Sequence, residues 1–256
     1  MPNNKWSREE HILAFNLYSQ IPFGTIHIHN PKIQELARLL GRSVGAVSLK
    51  LANFARLDPA LNIRGIKGLS HGAKGEEEVW NEFKENPEAL AFESEKLLAR
   101  REGKSVEEFA PIETDDLPRE GKEREAIVRL RVNKSFFRRR VLSAYGFRCC
   151  VTGLSVQPLL VASHIVPWAA DPDNRLNPRN GLCLNALHDR AFDPGLMWIE
   201  KDFTIRMSRK LRETGDASGA ALWLMSFEGK RLTLSGKFEP DPFLLMKHQQ
   251  SCLVSS

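Results

Sequence analysis

The chain lacks any apolar run close to the roughly 20 residues that a membrane-spanning helix needs, and residues 1–10 contain no apolar core of a secretory signal. No membrane partner is therefore expected, and the cytoplasm is the expected location. Cysteine is scarce. Cys149, Cys150, Cys183 and Cys252 are too few for a disulfide framework, and no two stand in a CxxC spacing. Acidic side chains are missing altogether from residues 126–170, a stretch that carries seven Lys and Arg. What is present is a globular balance, 42% hydrophobic and 27% charged over 256 residues. That balance excludes disorder throughout and leaves room for two ordinary domains.

The net charge of +5 hides an uneven distribution. Residues 1–74 carry +6 (10 basic, 4 acidic), 75–120 carry −9 (6 basic, 15 acidic), 126–170 carry +7 and 171–256 carry +1. Two basic blocks flank an acidic one. Basic blocks are the footprint of a polyanion partner, although an ordinary solvated face has the same composition.

Local signals divide the first half into helices. Residues 6–20 read as a helix opened by Ser7 with Glu10 in capping-box spacing. Residues 21–30, with Ile26 and Ile28 alternating, read as a short strand or an extended loop. Asn30 before Pro31 then opens a helix carrying Ile33, Leu36, Ala37 and Leu40 on one face. A turn at Gly41 and Ser43 leads to a second helix marked by Val44, Val47 and Leu51, running to about Leu57. This is the layout of a helix-turn-helix or winged-helix-like unit that would present Ser43, Ser48 and Lys50 to DNA. A plain helical hairpin fits the same residues, and the +6 charge favours DNA contact. Residues 75–102 read as one long acidic helix or two broken at Pro87. Residues 103–122 carry linker chemistry. The expected organisation is a helical DNA-binding domain over 1–105, a linker over 106–122 and a second domain over 123–256.

In that second domain, residues 123–132 are ambiguous between strand and helix, and 134–145 read as a helix. Phe137, Val141 and Tyr145 share one face of it, while Arg138, Arg139 and Arg140 run across the others. Residues 148–196 then read as turn, strand ending at His164, long polar loop, short strand from Gly181 to Leu184, and a helix over about 186–192 opened by Asn185. His164 and His188 are expected to meet across this hairpin. Past the helix, 197–207 and 230–238 suggest further short strands, Trp223 and Phe227 suggest packing, and His248 reads as structural.

The ordered set His164, Asn180 and His188, within ASHIVPW, NPRNGLCLNALHD and HDRAFDPG, resembles the HNH endonucleases of the ββα-metal fold, specifically a bacterial restriction-type subgroup. The close likeness covers about residues 123–200. The stretch LARLLGRSVGAVSLKLANFARLDP resembles the N-terminal segment that accompanies this nuclease type. The resemblance implies an α+β protein, with a mainly helical N-terminal domain and a C-terminal ββα-metal nuclease domain. It implies that His164 is the general base activating water, that Asn180 braces the loop and orients the base, and that His188 is the metal ligand. The cofactor it implies is a divalent ion, Mg²⁺ first, Mn²⁺ or another as alternatives. Double-stranded DNA is the implied partner, a homodimer is a plausible assembly, and methylated DNA is one candidate target.

Independent chemistry agrees. An imidazole with a pKa near 6.5 can take a proton from water at neutral pH, and a divalent cation can stabilise the charge on phosphate and leaving oxygen. Two departures stand out. Ser163 occupies the place of the usual second metal-binding carboxylate or imidazole, so Asp189 or Asp193 could be recruited instead; Asp193 reads rather as a structural cap. The paired CxxC motifs of zinc-braced relatives are missing, with Gly153 where a cysteine would stand, so no structural zinc is expected. Arg138, Arg139, Arg140 and Arg148 are expected to hold phosphates beside the cut. The alternative function is a non-catalytic DNA-binding protein that keeps the hairpin as a scaffold.

Overall fold

The structure, a computed structural model, describes residues 5–254 apart from 22, 60, 62–71, 111, 217 and 235–237. The chain divides into two compact units, Met1–Ser135 and Phe136–Ser256.

The first unit is helical. Helix α1 (Arg8–Gln20) starts at the Ser7–Glu10 capping box and buries an unbroken run from Glu10 to Tyr18, so it is the central helix rather than an amphipathic surface one. Residues 21–30 form a 3-10 turn and bends instead of a strand among the described positions. The alternation of Ile26 and Ile28 is outweighed there by Gly24 and by the turn that brings Asn30 into place as N-cap of α2 (Pro31–Leu40). Gly41, at φ +64°, ends α2 in the left-handed region, and Ser43 caps α3 (Val44–Ala55) three residues after α2 stops. Ile33, Leu36, Val47, Leu51 and Phe54 close against α1, with the Phe15 and Phe54 rings stacked 5.0 Å apart.

The acidic stretch forms two helices, α4 (Lys74–Phe83) and α5 (Pro87–Arg101), because Asn86 caps the second and Pro87 sits at its first position. Residues 106–122 include a one-turn helix α6 (Val106–Phe109), and Ala110 is buried against Val128 and Val132 with Ile112 and Leu117 beside them. Residues 122–144 form one continuous helix, α7 (Lys122–Ala144).

The second unit is built on an antiparallel hairpin. Strands β1 (Leu160–His164) and β2 (Gly181–Asn185) pair with Leu160 opposite Asn185 and His164 opposite Gly181. A loop over 165–180 joins them through two 3-10 turns, and α8 (Ala186–Phe192) follows β2 without a linker, capped by Asn185. Then come the short pair β3 (Met197–Ile199) and β4 (Ile205–Met207), helices α9 (Arg209–Glu213) and α10 (Gly219–Met225), and α11 (Pro242–Val254). Of the strand pair expected over 230–238, the described residues show a single bridge, Thr204 to Arg231. A helical N-terminal region followed by a small-sheet C-terminal unit makes the class α+β.

Candidate active site

The hairpin places its polar residues by parity. Along β1, His164 and Ser163 point to opposite faces. On the face of His164 lies Gly181, its register partner, and α7 packs there. A Cβ on Gly181 would collide with Val141 Cγ2 and stand 2.9 Å from Phe137 Cζ, so only glycine permits this approach.

His164 is held on three sides. Its ring lies parallel to Phe137, with centroids 3.7 Å apart and planes 10° apart, and edge-on to Trp168 at 5.6 Å. Its Nε2 is 3.0 Å from the carbonyl oxygen of Arg175. A carbonyl only accepts, so Nε2 carries the proton of the neutral ring and Nδ1 carries the lone pair. Arg175 is itself fixed, donating Nε to the Trp168 carbonyl at 2.8 Å with its guanidinium over the Trp168 ring.

Asn180 is fully buried and ties the loop to itself. Its Oδ1 accepts from Val166 N at 2.8 Å, and its Nδ2 donates to the carbonyls of Val166 and Asn174, both at 3.1 Å.

His188 lies in the first turn of α8 and is 0% exposed. Asn185 Oδ1 accepts from both its backbone N (2.9 Å) and its ring Nδ1 (3.0 Å), which places the ring proton on Nδ1. Nε2 therefore carries a lone pair, and it has no hydrogen-bond partner among the described residues. Trp223 and Phe227 stand edge-on to the ring at 5.2 and 5.0 Å. Burial lowers the pKa of His188 to about 4, so the ring is neutral at pH 7. A neutral imidazole whose far nitrogen is anchored by a fixed oxygen is the form a metal ligand takes. Ser163 Oγ, likewise buried, also has no hydrogen-bond partner among the described residues. The described residues contain no group of three or more His, Cys, Asp or Glu that could hold an ion by themselves. The residues present thus fit an ion with His188 as a protein ligand and water or phosphate oxygens completing its shell. Asp193 is the C-cap of α8. The two histidines are anchored at different ends of the hairpin: His164 pairs with Gly181, whereas the cap of the His188 helix pairs with Leu160.

The basic residues divide. Arg138, Arg139 and Arg148 are exposed, and Arg148 Nη1 lies 3.5 Å from the Gly153 carbonyl. Arg140 does not share that surface: its Nη1 donates to the Leu176 carbonyl at 3.0 Å and its guanidinium lies over Phe136 and Phe238. Burial lowers its pKa to about 10. In the first unit, Ser43 caps α3 and is exposed, and Ser48 is half-buried. The expected outward position of Lys50 is corrected. Lys50 is 6% exposed, paired with the fully buried Glu76, and 3.4 Å from His11 Nε2. The reason is geometric: Val47, Lys50, Leu51 and Phe54 lie at i, i+3, i+4 and i+7, the face that packs inward.

Phe137, Trp168, Arg175, Asn185, Trp223 and Phe227 complete the two imidazole environments. Asn185 announced itself as a helix cap, and Trp168 lies within the quoted HIVPW stretch. The Arg175 carbonyl has no signal in sequence, since any residue carries one.

No curated protein matches the chain. Residues 149–200, which hold the hairpin, its loop, Asn180, both histidines and α8, match the family model described as HNH endonuclease.

Proposed function

We propose that the chain is a metal-dependent DNA endonuclease of restriction type, with His164 as general base and His188 as metal ligand. The observation that carries this reading is the wiring of the two imidazoles. Each gives one N–H to a fixed oxygen and so presents its lone pair on a defined nitrogen, Nδ1 in His164 and Nε2 in His188. A divalent cation, when bound, supplies positive charge for the phosphate and the leaving 3′ oxygen. His164 Nδ1 accepts a proton from the attacking water, and the Arg175 carbonyl on Nε2–H steadies the imidazolium that results. Asn180 keeps the loop that carries Arg175 in register with β1. Arg138, Arg139 and Arg148 hold backbone phosphates, and the first unit docks duplex DNA through the turn between α2 and α3, with Ser43 and Ser48 at its exposed side.

The target is proposed to be modified, methylated DNA. Digestion of plasmids from methylating and non-methylating hosts with Mg²⁺ or Mn²⁺, and with chelator, tests both parts. Cleavage is expected with metal, faster on methylated plasmid, and none with chelator. Equal cutting of both plasmids removes the preference for modification. Intact plasmids under every condition remove the nuclease reading and leave a DNA-binding protein that keeps the hairpin as a scaffold.

A further inference from the structure

A general base must aim its lone pair, and an imidazole on a β-strand has two free torsions to lose before it can. The hydrogen bond from His164 Nε2 to the Arg175 carbonyl fixes where one nitrogen points. The parallel Phe137 ring fixes the plane of the imidazole, because rotation out of that plane would drive its edge into a phenyl face 3.7 Å away. Phe137 can serve as such a wall because it is itself immobilised. It is 2% exposed, on the continuous helix α7, one turn before the fully buried Val141.

The approach of α7 is set by Gly181. This glycine is the cross-strand partner of His164, and the space a side chain would fill there is taken by Val141 and Phe137. The bare position on β2 lets α7 descend to the sheet at the register where the base stands. Phe137 lies outside the segment 149–200 that matches the nuclease family.

We propose that Phe137 is a positioning residue for His164, seated by Gly181, which holds the imidazole plane and so directs Nδ1 at the attacking water. The proposal rests on the reading of His164 as the general base.

The experiment compares full-length wild type, Phe137→Leu, Phe137→Met and His164→Ala. The readouts are thermal midpoint, duplex Kd, kcat and KM across pH, and the ring-proton NMR shifts of His164. In wild type the His164 ring protons should lie upfield of an exposed histidine, under the Phe137 ring current, and in both Phe137 variants the shift should vanish. Both variants should lose roughly tenfold to a hundredfold in kcat, as expected for a misaimed catalytic group, with KM and duplex Kd unchanged. Folded Phe137 variants with wild-type kcat overturn the proposal. If both variants fail to fold, the wild-type spectrum decides, since an unshifted His164 resonance means the stack is absent. Full activity in His164→Ala would instead overturn the general-base reading, and is told apart because it leaves the NMR result standing.

Discussion

The two units bury polar groups to opposite ends. In the first, the buried ions neutralise one another. Glu76 accepts from Lys50, from Asn53 Nδ2 at 3.0 Å and from Ala73 N at 3.0 Å, while Arg42 pairs with Glu10 at 2.7 Å and lies over Trp6. Burial acts to raise the carboxyl pKa of Glu76, and the Lys50 and Asn53 hydrogen bonds outweigh it and hold it below the usual range. In the second unit His188 and Ser163 are buried and neutral, and His188 Nε2 and Ser163 Oγ have no hydrogen-bond partner among the described residues, as Ser94 Oγ and Asn133 Oδ1 have none in the first; what sets His188 apart is that its orphan atom is an imidazole nitrogen with a lone pair. A buried polar group whose bonding is satisfied costs little and acts as structure. One that is desolvated and left unbonded costs on the order of 1–3 kcal/mol, and a ligand is what would repay it. Lys50 and His188 are equally hidden from solvent, yet only His188 has a lone pair left to give.

Substitution at these two positions should separate stability from activity. His188→Ala should cut cleavage by about 10³-fold, the loss expected when several kcal/mol of electrostatic stabilisation is removed, and leave the thermal midpoint close to wild type. Lys50→Ala should do the reverse. It leaves Glu76 buried with Arg56, 3.5 Å away, as its remaining counter-charge, a cost of up to about 3–5 kcal/mol, and the first unit should melt early while metal-dependent nicking by the second persists below that temperature. If Lys50→Ala is neutral in stability and His188→Ala unfolds the chain, the contrast between the units is wrong.

Acid should find the same contrast. Burial lowers His188 and His248 to about 4, with the Phe192 carbonyl only partly opposing this at His248. Unfolded, both titrate near 6.5. The unfolded chain therefore binds protons first, and their stabilising effect, full above pH 6.5, is lost as pH falls from 6.5 to 4, on the order of a few kcal/mol between them. The lowered carboxyls of Glu10 and Glu76 act in a more acidic window, their stabilisation being lost only as pH falls below about 4.5. His11 of the first unit, lowered by burial and by Lys50 beside it, shares the window of His188 and His248, so denaturant melts from pH 7.5 to 3.5 should show both units weakening below pH 6.5, the second more because it holds two such histidines.

The smallest effect concerns phosphate contacts. With Arg140 turned inward, Arg138, Arg139 and Arg148 are the exposed members of the four arginines expected to hold phosphates, and the slope of log K against log salt contributed by them should be on the order of −2.7. Replacing Arg138, Arg139 and Arg148 together should flatten the slope by that amount, whereas Arg140→Ala should lower the melting temperature and leave the slope alone.

Much of this architecture was legible from local chemistry. Ser7 with Glu10, Asn30 before Pro31, and Asn185 before α8 mark helix starts because a cap satisfies backbone N–H groups that nothing else reaches. The hairpin was legible because its strands are short apolar runs separated by a polar loop. Two misplacements, Lys50 and Arg140, have one origin. Charge alone points both outward, yet each lies at helical spacing on the buried face, Lys50 with Val47, Leu51 and Phe54, and Arg140 with Phe136, Phe137 and Val141. Position on the helix decided their fate, and their charges were accommodated afterwards by Glu76 and by the Leu176 carbonyl. The enclosure of His188 was not legible at all, since Trp223 and Phe227 reach it from α10 and the turn after it, 35 or more residues along the chain.

One comparison decides whether the hairpin is an active site: the rate of plasmid cleavage with Mg²⁺ or Mn²⁺ by wild type and by His164→Ala, alongside duplex affinity. Loss of the base should slow cleavage by roughly 10² to 10⁴ with affinity unchanged. Cleavage by His164→Ala at the wild-type rate would contradict the assignment of His164.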